Sequence, residues 1–240
     1  GENYSSTIFD PKSYRKNPET ISRFVIFPMR HTQPFVSIVT PSFNQGSYIL
    51  HTITSVLGQN YPYFDYWVID GGSTDGTLEI LKRYEQDVRF HWISEPDRGQ
   101  ADAIVKGWSR AAGEILGWIN ADDIYTPGAI QEAVNALISR KNVAFVYTDI
   151  DIVNETGEQI KSFKAKQADL YDQLLLNCFI PQQSVFITRK AYEDVGGIRR
   201  DLHYTLDQEL WLSTSRRKSA HVAPYVAPKS TARARRRSVP

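Results

Sequence analysis

The chain has 240 residues, 41% of them hydrophobic and 23% charged, with a formal net charge of +1. That is the composition of an ordinary globular protein, and the expectation is one large α/β domain with room for a short extension. No stretch approaches the ~20 apolar residues that span a bilayer, and a lone cysteine, Cys178, excludes both an intrachain disulfide and a thiolate metal cluster.

Residues 1–34 are polar and broken by Pro11, Pro18, Pro28 and Pro34, which reads as an irregular arm. FVSIVT (35–40) is a β-branched run closed by Pro41 and Asn44, a strand followed by a loop. In GSYILHTITSVLGQ, Ile49, Ile53, Val56 and Leu57 recur at helical spacing, with Gly58 and Pro62 as stops. YWVID (66–70) is a second strand, followed by the turn GGSTDG and a helix over 77–84. VRFHWIS (88–94) is a third strand, and a helix over 100–112 ends at Gly113. EILGWIN (114–120) is the fourth strand, Pro127 opens a helix running to Arg140, and VAFVYTDI is the fifth strand. Near-continuous apolar strands alternating with helices predict a doubly wound, mostly parallel sheet covered on both faces.

After residue 150 the rhythm changes. A hairpin about Glu155, Thr156 and Gly157 is expected, then a helix over 169–176, a strand over 183–188, a short helix over 189–195 and a helix over 206–215. The organisation is therefore an arm (1–34), a domain over 35–215 with a nucleotide-binding type of half (35–125) and an α+β half (126–215), and a tail (216–240). Lys229, Arg233, Arg235, Arg236 and Arg237 make that tail basic. Such a run is usually a solvated tail, and less often a contact for anionic lipid or nucleic acid. Cys178, in LLLNCFIP, reads as a small buried thiol. The N-terminus shows no charged-then-apolar signal pattern, so a reducing, cytoplasmic setting is expected and the sequons at Asn3 and Asn154 read as chance.

In open parallel sheets, ligands bind beyond the carboxyl ends of the strands. Here residues 40–44, 70–73, 95–98 and 120–123 occupy those ends, and all four segments are polar, small or acidic. Asp70 either caps the turn it enters or accepts hydrogen bonds from a base or ribose. Asp75 reads as a helix cap. Phe43 is either core or a stacking platform for a base. Arg98 and Lys106 suit phosphates, although a lysine within a helix is more often solvated. In WINADDIY (118–125), Asp122 and Asp123 either cap the helix after Pro127 or bring a carboxylate to a metal ion. The first strand is not followed by G-x-G-x-x-G, which discards a dinucleotide-dependent oxidoreductase. TPSFNQGSY also lacks the Gly-rich, basic phosphate loop of a nucleotidyltransferase.

Five blocks, VSIVTPSFNQGSYI, VIDGGSTDGTLEIL, SEPDRGQADAIVKG, GEILGWINADDIYTPGAI and HYTLDQELWL, resemble family 2 glycosyltransferases of the GT-A fold, in particular a bacterial polysaccharide-type branch with an IDGGSTDGT turn. The resemblance runs over residues 35–212 with the blocks in the family's order. It implies a nucleotide-diphosphate sugar donor, a divalent cation (Mn²⁺ or Mg²⁺), a hydroxyl acceptor on a carbohydrate or lipid-linked saccharide, and inversion at the anomeric carbon. No nucleic acid is implied. The family's DXD motif falls on Asn120, Ala121 and Asp122. Asn120 stands at its first position, Asp122 matches the metal-ligating acid, and Asp123 is a further metal candidate. Asp207 matches the catalytic base, with Glu209 a weaker candidate. Pro41, Phe43 and Asp70 match the nucleotide site, where Gly71 replaces the second acid of the usual pair. Arg98 and Asp102 fall in the block that lines the donor's diphosphate and sugar.

The resemblance makes chemical sense. A departing nucleotide diphosphate needs its charge neutralised, and a hard cation held by one or two carboxylates and the phosphates does this. An attacking hydroxyl needs a base, which Asp207 would supply. Tyr171, Gln182, Gln183 and Tyr204 are candidates for the acceptor cleft. Relatives of this kind commonly work on lipid-linked acceptors at the inner membrane face, where a basic tail would favour peripheral contact. The rival reading is a non-catalytic nucleotide- or sugar-binding module of the same fold.

Overall fold

The computed structural model describes residues 33–154, 156–165, 180–202, 204–216, 221–224 and 230–233. The arm expected over 1–34 (its last two residues apart), the helix expected over 169–176, Cys178 and Tyr171 lie outside them.

Four strands form the first half of the main sheet: β1 (Val36–Ser42), β2 (Phe64–Asp70), β3 (Phe90–Ser94) and β4 (Ile115–Trp118). β2 and β4 flank β1 on opposite sides and β3 lies beyond β2, all parallel. The chain thus builds outward from β1 to β3, then returns to place β4 on β1's other side. The crevice between β1 and β4 is the topological switch point, where open α/β sheets bind ligands.

Beyond β4 the sheet continues through β9 (Phe186–Thr188), β6 (Val143–Tyr147) and β10 (His221–Pro224). β9 runs antiparallel to both its neighbours. A second sheet orders β5 (Asp123–Ile124), β11 (Ser230–Arg233), β7 (Ile150–Val153) and β8 (Gln159–Phe163). β7 and β8 form the expected hairpin. The segment read as a solvated basic tail over 216–240 therefore contains two paired strands. β10 is parallel to β6, and β11 lies between β5 and β7. Backbone pairing is available to a stretch such as STAR whatever its charge, and a charge-based reading does not register it.

The strands alternate faces. Val36, Ile38, Tyr66 and Val68 pack on one side with Ile49, Ile53 and Val56 of α1 (Ile49–Leu57) and Ile130 and Val134 of α4 (Ala129–Ile138). Val39, Ile69 and Leu116 face the other side. There they meet Ile104 and Trp108 of α3 (Gln100–Arg110) and Leu210 and Trp211 of α6 (Leu206–Ser215). The period of 2 in the strands thus feeds two separate cores. Two short helices, α2 (Thr77–Lys82) and α5 (Arg189–Asp194), complete the layers. α3 lies close on the sheet because Gly107 has no side chain. A Cβ there would come within 2.6 Å of Val39.

Candidate active site

β1 and β4 stay paired only as far as Val39 and Trp118. Beyond that register they part, and Pro41, with no N–H to donate, sits where no β4 partner is needed. The gap holds a cavity of about 280 Å³. Pro41, Ser42, Phe43 and Gln45 line it from the end of β1, Asp97, Gly99, Gln100 and Ala103 from the start of α3, and Asn120, Ala121 and Asp122 from the end of β4. Phe43 is 59% exposed, so its ring is available to a ligand and is not part of the core. Ser42 Oγ is buried with no hydrogen-bond partner among the described residues. Leaving such a group unpaired costs ~1–3 kcal/mol, which a ligand oxygen could offset.

The GGSTDG turn builds this site from behind. Asp70 is wholly buried. Its Oδ2 accepts the Gly72 and Ser73 amides at 3.1 and 2.8 Å and the Ser94 hydroxyl at 2.7 Å, and its Oδ1 accepts the Ser73 hydroxyl at 2.5 Å. Gly72, at φ 91°, supplies the left-handed step the turn requires. The turn in turn grips the loop after β1. Ser73 Oγ accepts the Asn44 amide at 2.7 Å, Thr77 Oγ1 the Gln45 amide at 3.1 Å, and Asp75 Oδ2 the Gly46 amide at 2.9 Å. Asn44 answers by accepting the Thr74 amide at 2.9 Å. Asp75 also accepts the Thr77 amide at 3.2 Å, as expected of a cap near the start of α2. Asp70 therefore does not line the cavity. It belongs to the frame that presents Phe43, and the cap reading of this acid is the one its bonds support.

Asn120 is the centre of an amide network. Its Nδ2 donates to Asp123 Oδ2 and to Gln182 Oε1, both at 3.2 Å, while its Oδ1 accepts from Gln100 Nε2 at 2.6 Å. Gln182 is anchored by donating to the Trp118 carbonyl at 2.8 Å. A carboxylate accepts and an amide can donate, so Asn120 meets Asp123 with opposite polarity where the acid of the family pattern would set two carboxyls together. Asp123 is itself buried, with its backbone in β5. Asp122 lines the cavity and Asp123 does not, so of the two metal candidates only Asp122 borders it.

Two more expected donor residues lie outside the cavity. Arg98 has an exposed side chain, and its amide donates to Asp102 Oδ2 at 3.3 Å. Asp102 is buried and paired with Arg200 at 3.1 Å and Lys106 at 3.4 Å. Burial pushes its carboxyl up, but the Arg98 amide and the Lys106 and Arg200 cations outweigh this and hold it below the ordinary carboxylate value. Lys106 also meets Glu95 at 3.1 Å, so its ammonium is paired with two carboxylates, and it does not line the cavity. A carboxylate already saturated by cations has little left for sugar hydroxyls.

Asp207 stands half-buried in the first turn of α6, beside Leu206 in the core, and is not among the cavity's lining residues. Glu209, in the same turn, accepts from Ser213 Oγ at 2.7 Å. Tyr204, just before the helix, is 85% exposed. Sequence reasoning places Asp97 among the strand-end residues without giving it a role, and passes over Gln45 and Gln100, all three of which line the cavity.

Among the described residues no group of three or more His, Cys, Asp or Glu side chains forms a metal cage. Asp122 at the cavity instead suits a cation that takes most of its oxygens from substrate phosphates and water, as Mg²⁺ and Mn²⁺ do.

A mostly parallel sheet with a cavity at its switch point, an exposed aromatic and a strand-end acid define an α/β protein with a candidate ligand site beyond its strand ends. The model of the family Glycosyl transferase family 2 matches residues 37–196. The chain belongs to that family and has the GT-A fold. A Bacillus subtilis glycosyltransferase named for teichuronic acid biosynthesis, TuaG, is 32% identical over 77% of this chain and 73% of its own. Chondroitin synthase of Pasteurella multocida is 28% identical over 77% of this chain but only 19% of its own length. Solved structures give the same fold. S. aureus TarS aligns with a TM-score of 0.67 at 18% identity, over 83% of this chain and 37% of that one. The mannosyltransferase PcManGT from Pyrobaculum calidifontis, in complex with GDP-Man and Mn²⁺, aligns with a TM-score of 0.65 at 18% identity, over 87% and 59%. Several of these relatives are thus far longer than the part this chain matches.

Proposed function

We propose that this protein transfers a hexosyl unit from a nucleotide-diphosphate sugar to a hydroxyl acceptor, with inversion, during synthesis of a surface polysaccharide or glycolipid. The observation that carries this is the cavity at the β1/β4 switch point, where Phe43, Asn120 and Asp122 converge. Its described lining holds two carboxylates, Asp97 and Asp122, and no basic side chain. A diphosphate entering it therefore needs positive charge brought from outside the lining. A divalent cation, Mn²⁺ or Mg²⁺, held by Asp122 would neutralise the charge that grows on the leaving diphosphate. TarS solved with UDP-GlcNAc and PcManGT solved with GDP-Man support a nucleotide-sugar donor.

The residues divide the work as follows. Phe43 stacks on the base, and Pro41 and Ser42 shape the wall beside it. Asn120, locked by Gln100 and Gln182, presents a fixed amide edge at the ribose–diphosphate end. Asp207 takes the proton from the acceptor hydroxyl as it attacks, a step typically worth ~10²–10⁴-fold. One displacement with no covalent intermediate inverts the anomeric carbon. Gln183 and the exposed Tyr204 suit the acceptor side. No helix among the described residues is long and apolar enough to cross a membrane. A cytoplasmic enzyme drawn to the inner membrane face through its basic C-terminal residues fits a lipid-linked acceptor.

The test is a donor screen that follows nucleoside diphosphate release with each common nucleotide sugar, with and without Mn²⁺, in the presence of lipid-linked saccharide acceptors. Metal-dependent release that disappears in Asp122→Ala supports the reading. Nucleotide binding with no transfer to any acceptor would favour a binding module instead.

A further inference from the structure

We propose that Asp97 selects the base of the donor, accepting the ring N–H of a keto base such as uracil or guanine. The inference rests on the nucleotide-sugar reading above and adds a specificity residue to it. A Cβ built on Gly71 would lie 3.1 Å from Asp97 Oδ2 and 3.3 Å from Phe43 Cδ2. One carboxylate oxygen and one aromatic ring therefore close over a residue with no side chain of its own. Both line the cavity. A flat base can stack on the ring while its edge meets the carboxylate.

The orientation of Asp97 is fixed by its own loop. Its Oδ1 accepts the Gly99 amide at 2.8 Å, and among the described residues nothing else hydrogen-bonds to this side chain. Gly99 adopts φ 105°, which a side chain would resist, and so lets the chain turn back into α3 with its amide on Asp97. Oδ2 is left as an acceptor beside Phe43. A carboxylate only accepts, so its partner must donate. Uracil N3 and guanine N1 carry a hydrogen, whereas cytosine N3 and adenine N1 carry a lone pair and would face Oδ2 with like polarity. The acid missing at Gly71 is thus replaced in function by one that reaches the same spot from the next strand end.

Asp97→Asn tests this without changing shape. Oδ1 can keep the Gly99 amide, which turns Nδ2 towards the base and puts a donor where the acceptor was. Calorimetric titration of the full chain with UDP, GDP, CDP and ADP, in the presence of Mn²⁺, reads the result. Wild type should bind UDP or GDP at least about 10-fold more tightly than CDP or ADP, and Asp97→Asn should cut that preference by about 10-fold or more. Phe43→Ala should weaken all four and leave their ratios alone. Should Asp97→Asn fail to fold, wild type with N3-methylated UDP decides the matter, since loss of the N–H should cost a similar factor. Equal UDP-to-CDP ratios in wild type and Asp97→Asn, or undiminished binding of the methylated nucleotide, would overturn the inference while leaving the donor reading intact. Failure of wild type to bind any of the four would overturn both.

Discussion

Trp118 and Trp211 stack with ring centroids 5.5 Å apart and planes inclined by 16°. Trp118 ends β4, two residues before Asn120, and Trp211 sits on α6, four residues after Asp207. One aromatic contact therefore ties the strand that leads to Asp122 to the helix that carries the proposed base. Trp108 packs edge-on against Trp118 at 5.4 Å and Phe145 against Trp211 at 4.9 Å, so the pair is held from both sides. Removing a buried Trp side chain costs ~3–5 kcal/mol. Trp211→Ala is expected to lose about that much in urea unfolding and to reduce transfer more than nucleotide binding. Trp211→Phe should recover most of both. Undiminished turnover in a folded Trp211→Ala enzyme would show that the stack does not position the helix.

Asp207 can be separated from the fold because it is half-buried at a helix start and its neighbour Leu206 makes the core contact. Asp207→Asn should lower kcat by ~10²–10⁴-fold while leaving the melting temperature and UDP affinity near wild type. Single-turnover release of nucleoside diphosphate separates the two effects. A wild-type rate in the purified variant would move the base elsewhere, and Glu209, in the same first turn, would be the next residue to substitute.

Asn120→Asp gives a prediction with a sign in pH. The change would set a carboxylate against Asp123 Oδ2, where Nδ2 now donates at 3.2 Å. Like charges at that distance push one carboxyl above its ordinary value. A group whose pKa is raised on folding favours the native state at low pH and loses that contribution as pH rises through the raised value. The melting temperature of Asn120→Asp should therefore fall further below wild type at pH 8 than at pH 5. Mn²⁺ should narrow the gap by supplying the missing positive charge. A pH-independent difference would mean the substituted acid has turned away from Asp123.

The family's pattern and much of the fold were legible in the sequence because hydrophobic period and strand-end chemistry are local signals. Val36, Ile38 and Val39 announce a strand with two buried faces, and the four strand-end segments converge as parallel topology demands. Long-range pairing was not legible. Nothing in STAR or HVAP says that they join sheets at β11 and β10, since both depend on partners far away in the chain. Residue roles at the site were legible only in part. The resemblance assigns Asp70 and Asp102 to the donor site, while the residues alone leave Asp70 open between a turn cap and a ligand acid. Whether an acid faces inward or outward depends on partners such as Ser94 and Arg200, which no motif names. Asn120 shows the converse, a departure from pattern whose amide donates to the neighbouring Asp123 carboxylate.

The Asp102–Arg200 pair joins the helix that borders the cavity to the segment leading into α6. Asp102's side chain is only 7% exposed, whereas that of Arg200 is 53% exposed, so solvent screens the attraction and the pair is worth ~1 kcal/mol. The Asp102 carboxyl is held below its ordinary value by the Arg98 amide and the two cations, against the upward push of burial. With the folded-state value depressed, the unfolded chain binds the proton first. The stabilisation is thus complete above the ordinary Asp value, about 3.9, and disappears as pH falls below it towards the folded value. Asp102→Asn should cost ~1 kcal/mol in urea unfolding at pH 7, and the deficit should shrink below about pH 4 as wild type loses the same charge. If the deficit stays constant down to pH 3, Asp102 contributes through shape and neutral hydrogen bonding, and the cations around it do not stabilise the fold through its charge.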